Sequence, residues 1–212
     1  MHAPTPDAEV LTEPLRSRWS PSSFDPDHVI DDADLDVLVQ AARWAPSRGN
    51  SQPWVLVVLR RDGRNHAAWC GTLARGNAWV RRASAVLVTA VRIGPDPDAE
   101  PGSKAAREVP ADYACYDTGQ AAAHVTLQAR ALDLHAHQFS GMDLDAAAEV
   151  LGVPAHFRVL SGIAVGRHLP PTEDDLVERE GRPRERRTTG DALRDGGWDV
   201  PWPAPRGEGG AA

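Results

Sequence analysis

The chain has 212 residues, of which 42% are hydrophobic and 25% charged, and its formal net charge at pH 7 is −7. This length predicts one domain whose core folds without a disulfide or a structural metal. The acidic balance disfavours a nucleic-acid partner, because binding to phosphate backbones requires a basic surface.

Three further features exclude other classes. No apolar run reaches the ~18 residues that span a membrane. The N-terminal sequence lacks the basic and apolar regions of a signal peptide, and two cysteines are too few for a secreted disulfide framework. We therefore expect no membrane partner and a cytoplasmic location.

Glycine and proline concentrate in the first 28 residues, at 94–110 and after residue 180, which predicts loops or tails there. We divide the chain into a flexible N-terminus (1–13), a folded domain (14–200) and a flexible C-terminal tail (201–212).

In chain order, the first predicted element is an amphipathic helix at 34–45, capped by Asp31 or Asp32 and ended by Pro46. Short β-branched runs predict buried strands at 54–59, 85–91 and 159–165.

Between the last two strands, small side chains predict a helix at 112–132 that is buried nearly all round. Asp143 is expected to cap a further helix that Gly152 ends. Helices and strands mix without strict alternation, which favours an α+β fold.

Two polar segments carry the chemical signal. In the first, Arg16, Arg18, Ser20 and Ser22 offer donors that suit a phosphate, although a solvated arm before the first helix has the same composition. In the second, residues 45–54 (APSRGNSQPW), Asn and Gln side chains both donate and accept, as the edge of a polar heterocycle requires. Backbone satisfaction in a turn is the alternative for this segment.

The order of these and later blocks resembles the FMN-dependent nitroreductase family. The blocks are Arg18-x-Ser20 with Phe24 downstream, APSxxNxQPW, Gly76-Asn77 before a VLVTAV strand, YDTGQAA, SGMD, LGVP and IAVG. The resemblance covers residues 14–194, and APSxxNxQPW is its most specific block.

This resemblance implies a mostly antiparallel sheet flanked by helices, in an intertwined homodimer with FMN at the interface. Arg18, Ser20, Arg184 and Arg186 match phosphate and ring contacts, Asn77 matches a ring contact, and the backbone N–H of Ser140 matches the donor that faces flavin N5. Ser47 and Asn50 match positions that reach the flavin of the other subunit. The full set of expected cofactor residues is Arg16, Arg18, Trp19, Ser20, Ser22, Pro46, Ser47, Asn50, Gln52, Asn77, Gln138, Phe139, Ser140, Gly141, Arg184 and Arg186.

Three positions depart from the family pattern. Ser22 stands where the family usually has a basic residue, Val80 where some members have lysine, and Ser140 where an acid is frequent. A missing cation near flavin N1 would weaken stabilisation of the reduced ring. Arg48 or Arg16 is a candidate for compensating it.

The implied function is an oxidoreductase that takes electrons from NADH or NADPH and reduces a nitroaromatic, a quinone or a similar electrophile by a ping-pong mechanism. No catalytic protein residue is assigned, since the flavin does the chemistry. Two alternatives stay open: an FMN-dependent dehydrogenase or oxidase of a biosynthetic pathway, and a flavin-binding protein without turnover.

Other residues invite simpler interpretations. His135 and His137 lack further ligands at zinc spacing, so no metal site is predicted. His124 is expected to be a hydrogen-bonded core or interface residue, and Cys115 to be buried and inert. Trp44 and Trp54 are interpreted as core or interface residues, whereas Trp79, Trp198 and Trp202 are candidates for a substrate pocket.

Overall fold

The computed structural model describes residues 8–182 and 184–202. The predicted segments 1–13 and 201–212 therefore lie largely outside the described residues. The described part combines one sheet with helices on both sides, which confirms the α+β class. Its strands are β1 (Trp54–Arg60), β2 (Ala85–Arg92), β3 (His135–Phe139) and β4 (Phe157–Gly166). Its helices are α1 (Glu13–Ser17), α2 (Asp32–Arg43), α3 (His66–Cys70), α4 (Ala111–Ala131), α5 (Leu144–Leu151), α6 (Asp174–Gly181) and α7 (Thr189–Ala192).

The sheet has the strand order β1-β2-β4-β3, and every neighbouring pair is antiparallel. The central strand β2 is buried along its whole length, as its unbroken apolar run predicts. An irregularity between Thr89 and Ala90 shifts its register against β4.

Local signals in the sequence explain two of the helices. The side chain of Asp31 accepts from the backbone N–H of Asp34 at the start of α2, and Asp143 accepts from that of Ala146 at the start of α5. Gly152 ends α5 with a φ of 64°, a conformation that favours glycine.

Each face of the sheet packs on its own apolar cluster. One cluster joins α2 and α4 to the sheet through residues such as Leu38, Val125 and Ile163. The other joins the α3 region and α5 to the opposite face through residues such as Trp69 and Val88. The sheet thus forms the middle layer, and the long helix α4 lies across one side of it.

The prediction that α4 is buried nearly all round is wrong for the chain by itself. Its inner face is buried, but Tyr116, Gly119 and Ala123 are exposed at helical spacing on the opposite face. Tyr116 keeps 68% of its accessible surface. No element within residues 8–182 and 184–202 covers this stripe.

Several single-residue expectations are also corrected. Trp79 is buried and does not line an open pocket, whereas Trp44, expected in the core or at an interface, lies outside the core with 79% of its surface exposed. Cys115 is only half-buried, next to the Arg158 guanidinium. His124 is hydrogen-bonded as predicted, from Nδ1 to the carbonyl of Ala41.

None of the helices in the described ranges is both long enough and apolar enough to cross a membrane. Within these ranges no three or more His, Cys, Asp or Glu side chains are grouped to hold a metal ion.

Candidate functional site

Three arginines from opposite ends of the chain meet at one place. Arg18 follows α1, and Arg184 and Arg186 follow α6. Arg184 donates from Nη1 to the carbonyl of Arg18 at 2.8 Å, and Arg18 lies 3.3 Å from the Ser20 hydroxyl. Residues 18, 20, 184 and 186, expected together from the sequence, are thus brought together.

The arginine cluster is not neutralised by any carboxylate that the structure describes. Among residues 8–182 and 184–202, no carboxylate forms an ion pair with Arg18, Arg184 or Arg186. Burial lowers the pKa of Arg18, and the charges of the two other arginines lower it further. The Nε atoms of Arg18 and Arg184 are buried and lack hydrogen-bond partners in the described structure.

Buried donors and mutually repelling cations are the chemistry of a site for an anion. A phosphate supplies several acceptor oxygens and up to two negative charges, which satisfy guanidinium groups through charge-assisted bonds. The cluster therefore fits the phosphate of a cofactor better than it fits a solvated arm.

Glu180, at the end of α6, holds the N-terminal segment against this cluster. Its Oε1 accepts from the backbone N–H groups of Ser22 and Ser23 at 2.6 and 2.7 Å, and its Oε2 lies 3.0 Å from His168 Nε2. Sequence reasoning missed Glu180, because an acid in the polar stretch DDLVEREG is indistinguishable from a solvated surface residue.

Ring side chains pack beside the same segment. Trp19 contacts the rings of His135 and His168, with centroids 5.8 and 4.9 Å away. His137 donates from Nδ1 to the carbonyl of Pro21 at 2.7 Å and stacks on Trp79. Burial lowers the pKa of His137, so its ring is held neutral.

Asn77 and Gly141 form a second edge of the site. The Asn77 amide donates to the carbonyl of Gly141 at 2.9 Å and accepts from Trp79 Nε1 at 3.3 Å. A Cβ atom at position 141 would collide with this amide, so a side chain there would displace Asn77 from its present position. The Asn77 amide keeps one N–H and one lone pair for a ligand, since an amide has two of each.

Two predicted ring contacts are largely committed to the protein. Gln138 and Phe139, expected in a loop, form the end of β3 instead. The Gln138 amide donates to Thr126 Oγ1 at 2.8 Å, and the Phe139 ring is buried so closely under Gly162 that a Cβ there would lie 2.5 Å from it. The Phe139 ring is therefore not available to a ligand.

The positions that depart from the family pattern carry no charge into the site. Ser22 is buried with its N–H on Glu180, and Val80 is buried in the apolar cluster of its sheet face. Ser140 is exposed just after β3. Arg16, a candidate to compensate, donates from Nε to Glu13 at 3.0 Å within its own helix.

The loop that contains the most specific sequence block is rigidly built. Ser47 Oγ accepts from the Gln52 N–H at 3.0 Å, and the Gln52 amide donates to Asn50 Oδ1 at 3.0 Å. Asn50 and Gln52 both adopt positive φ, at 53° and 45°. Such angles persist only where surrounding contacts impose them. The exposed Pro46 begins this loop directly after α2.

Within one chain, this loop and the arginine cluster attach at different ends of α4. The Arg48 N–H donates to Asp117 near the start of the helix, whereas Arg130 near its end donates to Ser17, next to Arg18. Asp117 and Arg130 are separated by 13 residues of helix, or about 20 Å at 1.5 Å per residue. The chain thus divides the predicted cofactor residues into two separate groups.

Comparison with known proteins shows the family of this chain. The model of the nitroreductase family matches residues 15–75 and 71–167. The chain is 33% identical over 156 residues to an uncharacterised 15.4 kDa protein of Mycolicibacterium smegmatis, covering 68% of this chain and 97% of that protein. It is 28% identical over 160 residues to an Archaeoglobus fulgidus protein named as an NADH dehydrogenase/NAD(P)H nitroreductase, covering 74% and 83%.

A solved structure described as an oxidoreductase containing FMN superposes with a TM-score of 0.79 at 30% identity, covering 91% of this chain and 95% of the other. The residues that the family model matches include Arg18, the 46–52 loop, Asn77 and Gly141. The chain belongs to the nitroreductase family.

Proposed function

We propose that this protein is an FMN-dependent oxidoreductase that takes electrons from NADH or NADPH. The observation that carries the proposal is the arginine cluster, in which Arg18 and Arg184 have buried Nε donors without partners. A flavin phosphate satisfies these donors and screens the repulsion between the guanidinium groups. An FMN-containing structure with the same fold supports the choice of anion.

The residues around the cluster would hold the rest of the cofactor. Ser20 adds a neutral donor beside Arg18, and Asn77 offers its remaining amide N–H and lone pair to the ring edge. Glu180 and His168 keep the 18–23 segment in place. FMN, when bound, supplies the hydride chemistry that couples a nicotinamide donor to an electron acceptor.

The protein itself is assigned no proton transfer. His137 lies beside the predicted cofactor residue Gln138, but its Nδ1 donates to the Pro21 carbonyl and burial lowers its pKa. We propose that the electron donor and the electron acceptor bind in turn at the same site, in ping-pong order. The proposed acceptor is a nitroaromatic, a quinone or a similar small electrophile.

We further propose that the working unit is a homodimer with FMN at its interface. The α4 residues that hold the two groups, Asp117 and Arg130, lie about 20 Å apart along the helix. This separation supports an arrangement in which Ser47 and Asn50 of one protomer complete the site of the other. The exposed Tyr116–Gly119–Ala123 stripe of α4 offers a surface on which a second copy could pack.

The phosphate assignment is tested with Arg18→Ala. Loss of one charge-assisted contact costs about 1.5 to 3 kcal/mol, so FMN should bind about 10 to 100 times more weakly while the melting temperature of the apoprotein is retained. Arg182→Ala is the matched control, because Arg182 is an exposed arginine near the same helix end that pairs with Glu178. Equal FMN affinity in both variants and the wild type would place the phosphate elsewhere.

The alternative of a dehydrogenase or oxidase rests on Ser22 and Val80, which supply no cation to the site. Anaerobic mixing of the FMN-loaded protein with NADPH distinguishes this alternative from the proposed reductase. Rapid bleaching of the flavin absorbance by NADPH supports the reductase, and bleaching by another substrate alone supports the alternative. Steady NAD(P)H consumption with menadione excludes a flavin-binding protein without turnover.

A further inference from the structure

The 93–110 loop is organised around a buried arginine. Arg92, at the end of β2, is 6% exposed and donates to the carbonyls of Lys104, Ala105 and Arg107 at 3.3, 2.8 and 3.1 Å. No carboxylate in the described ranges forms an ion pair with it. Carbonyl dipoles satisfy its N–H groups but leave its charge uncompensated.

This loop encloses a small cavity with the 48–51 segment and the start of α4. The cavity measures ≈ 160 Å³, and its lining includes four cations, namely Arg48, Arg92, Lys104 and Arg107. Two carboxylates, Glu108 and Asp117, also line it, so the net formal charge of the lining is +2. Asp117 already accepts the Arg48 backbone N–H and a bond from the Gln120 amide.

Weak contacts hold the exposed cations of the cavity lining in place and leave most of their N–H groups available to a ligand. Lys104 Nζ lies 3.3 Å from the carbonyls of Gly49 and Asn50, and Arg107 donates to the carbonyl of Gly102 at 3.3 Å. The Arg48 guanidinium lies over the Tyr113 ring, 5.0 Å from its centre. Such a contact fixes the position of the cation without neutralising it.

The size of the cavity limits what can enter. A volume of ≈ 160 Å³ accommodates about five water molecules at about 30 Å³ each, well below the 300 Å³ or more of a pocket that encloses a whole drug-sized ligand. It has room for one anionic group of a larger molecule.

We propose that the cavity between Arg48, Arg92, Lys104 and Arg107 binds an anionic group, a phosphate or a carboxylate, of one of the two reactants. Lys104 is hydrogen-bonded to the 47–52 loop, which in the proposed dimer reaches the cofactor held by the other protomer. The assignment to a reactant therefore rests on the proposed function. The 93–110 loop then acts as a specificity element.

Binding is tested directly by titrating the FMN-loaded protein with inorganic pyrophosphate in a calorimeter. Lys104→Gln/Arg107→Gln removes two exposed cations but leaves the carbonyls that hold Arg92 intact. We expect binding by the wild type that weakens with salt, and at least about tenfold weaker binding by the double variant. Arg64→Gln/Arg182→Gln, which removes the same charge from exposed sites elsewhere, should bind like the wild type. No binding by the wild type, or equal binding by all three proteins, overturns the proposal.

Steady-state kinetics identify the reactant. If the group belongs to the donor, the KM for NADPH rises at least about tenfold in the Lys104/Arg107 variant, while the KM for the uncharged donor 1-benzyl-1,4-dihydronicotinamide is unchanged. If it belongs to the acceptor, the KM for 4-nitrobenzoate rises and that for its methyl ester does not. Unchanged KM values for all four compounds overturn the assignment to a reactant.

The two proposals fail in different ways. A protein that takes up no FMN contradicts the proposed function, and the same pyrophosphate comparison, made on the unloaded wild type and variants, still decides whether the cavity binds anions. A protein that binds FMN and turns over, but whose variants bind pyrophosphate equally, retains the proposed function and loses the anion site.

Discussion

Among the histidines beside the site, burial shifts the pKa of His135 strongly. Burial, with the nearby charges of Arg130 and His168 as further causes, lowers its pKa to about 4. The unfolded chain protonates this histidine near pH 6.5, so between pH 6.5 and 4 the unfolded state binds more protons than the native state. The contribution of His135 to stability is complete above pH 6.5 and is lost as the pH falls toward 4.

We expect His135→Gln to reduce the loss of stability on acidification. Urea unfolding at pH 7.5, 5.5 and 4.5 should give a shallower decline for this variant than for the wild type, and His137, whose pKa burial also lowers, leaves a residual slope. Arg64→Gln, an exposed charge change in the turn after β1, should keep the wild-type slope. Parallel declines for His135→Gln and the wild type would show that His135 does not govern this range.

At the scale of elements, α6 binds the N-terminal segment around Ser22 and Ser23. Its contact with the N-terminal segment runs through Glu180, whose side chain is 8% exposed. Ser22 and Ser23 are themselves buried, so their N–H groups have no access to water when the carboxylate is removed. An unsatisfied buried donor costs about 1 to 3 kcal/mol.

Glu180→Ala should therefore lower the free energy of unfolding by about 2 to 6 kcal/mol, since two donors lose their acceptor. The matched control is Glu178→Ala in the same helix, whose exposed pair with Arg182 is worth less than about 0.5 kcal/mol. Denaturant unfolding of the apoproteins measures both. A Glu180→Ala variant as stable as Glu178→Ala would show that α6 does not clamp the N-terminal segment.

The elements differ in how far the sequence predicts them. Long apolar runs and cap residues predicted β1, β2, β4, α2, α4 and α5 within one to two residues at most ends. The strand β3 was not predicted, because HAHQF is short and polar at alternate positions, a pattern that a loop also shows. Glu180 and Arg92 are missed for another reason. Their roles depend on backbone groups elsewhere in the sequence, such as the N–H of Ser22 for Glu180.

The residues of the candidate site also differ in how far the sequence predicts their positions. The meeting of Arg18 with Arg184 and Arg186 was expected from sequence blocks that resemble a family, and the fold brings them together. The inward turn of the Phe139 ring was not expected, since it depends on the absence of a side chain at Gly162 on a neighbouring strand.

At the scale of the whole molecule, the described ranges expose large apolar side chains that the proposed dimer could cover. Trp44 at the end of α2 and Tyr116 on α4 are among the most exposed large side chains, at 79% and 68%. Large apolar patches on a monomer mark interaction sites. A two-fold dimer through α4 would cover part of this surface and bring the two groups of cofactor residues together.

We expect the wild type to sediment as a dimer that retains FMN, and Ala123→Glu to sediment as a monomer that loses it, because a carboxylate on the stripe would be buried without a partner. Val29→Glu introduces the same carboxylate at a loop residue that is 75% exposed and should leave the dimer intact. Analytical ultracentrifugation with detection at flavin wavelengths gives both results. A monomeric wild type with bound FMN would rule out the dimer.

The arginine cluster also has a consequence for how the protein is made. Translation at about 5 to 20 residues per second reaches codon 184 roughly 8 to 33 seconds after codon 18. During that interval the nascent polypeptide holds Arg18 without Arg184 and Arg186, whose charges later crowd it. In the proposed function, the phosphate contacts of the cluster are therefore complete only after residue 186 has been synthesised, and chains truncated before residue 184 should bind the cofactor more weakly.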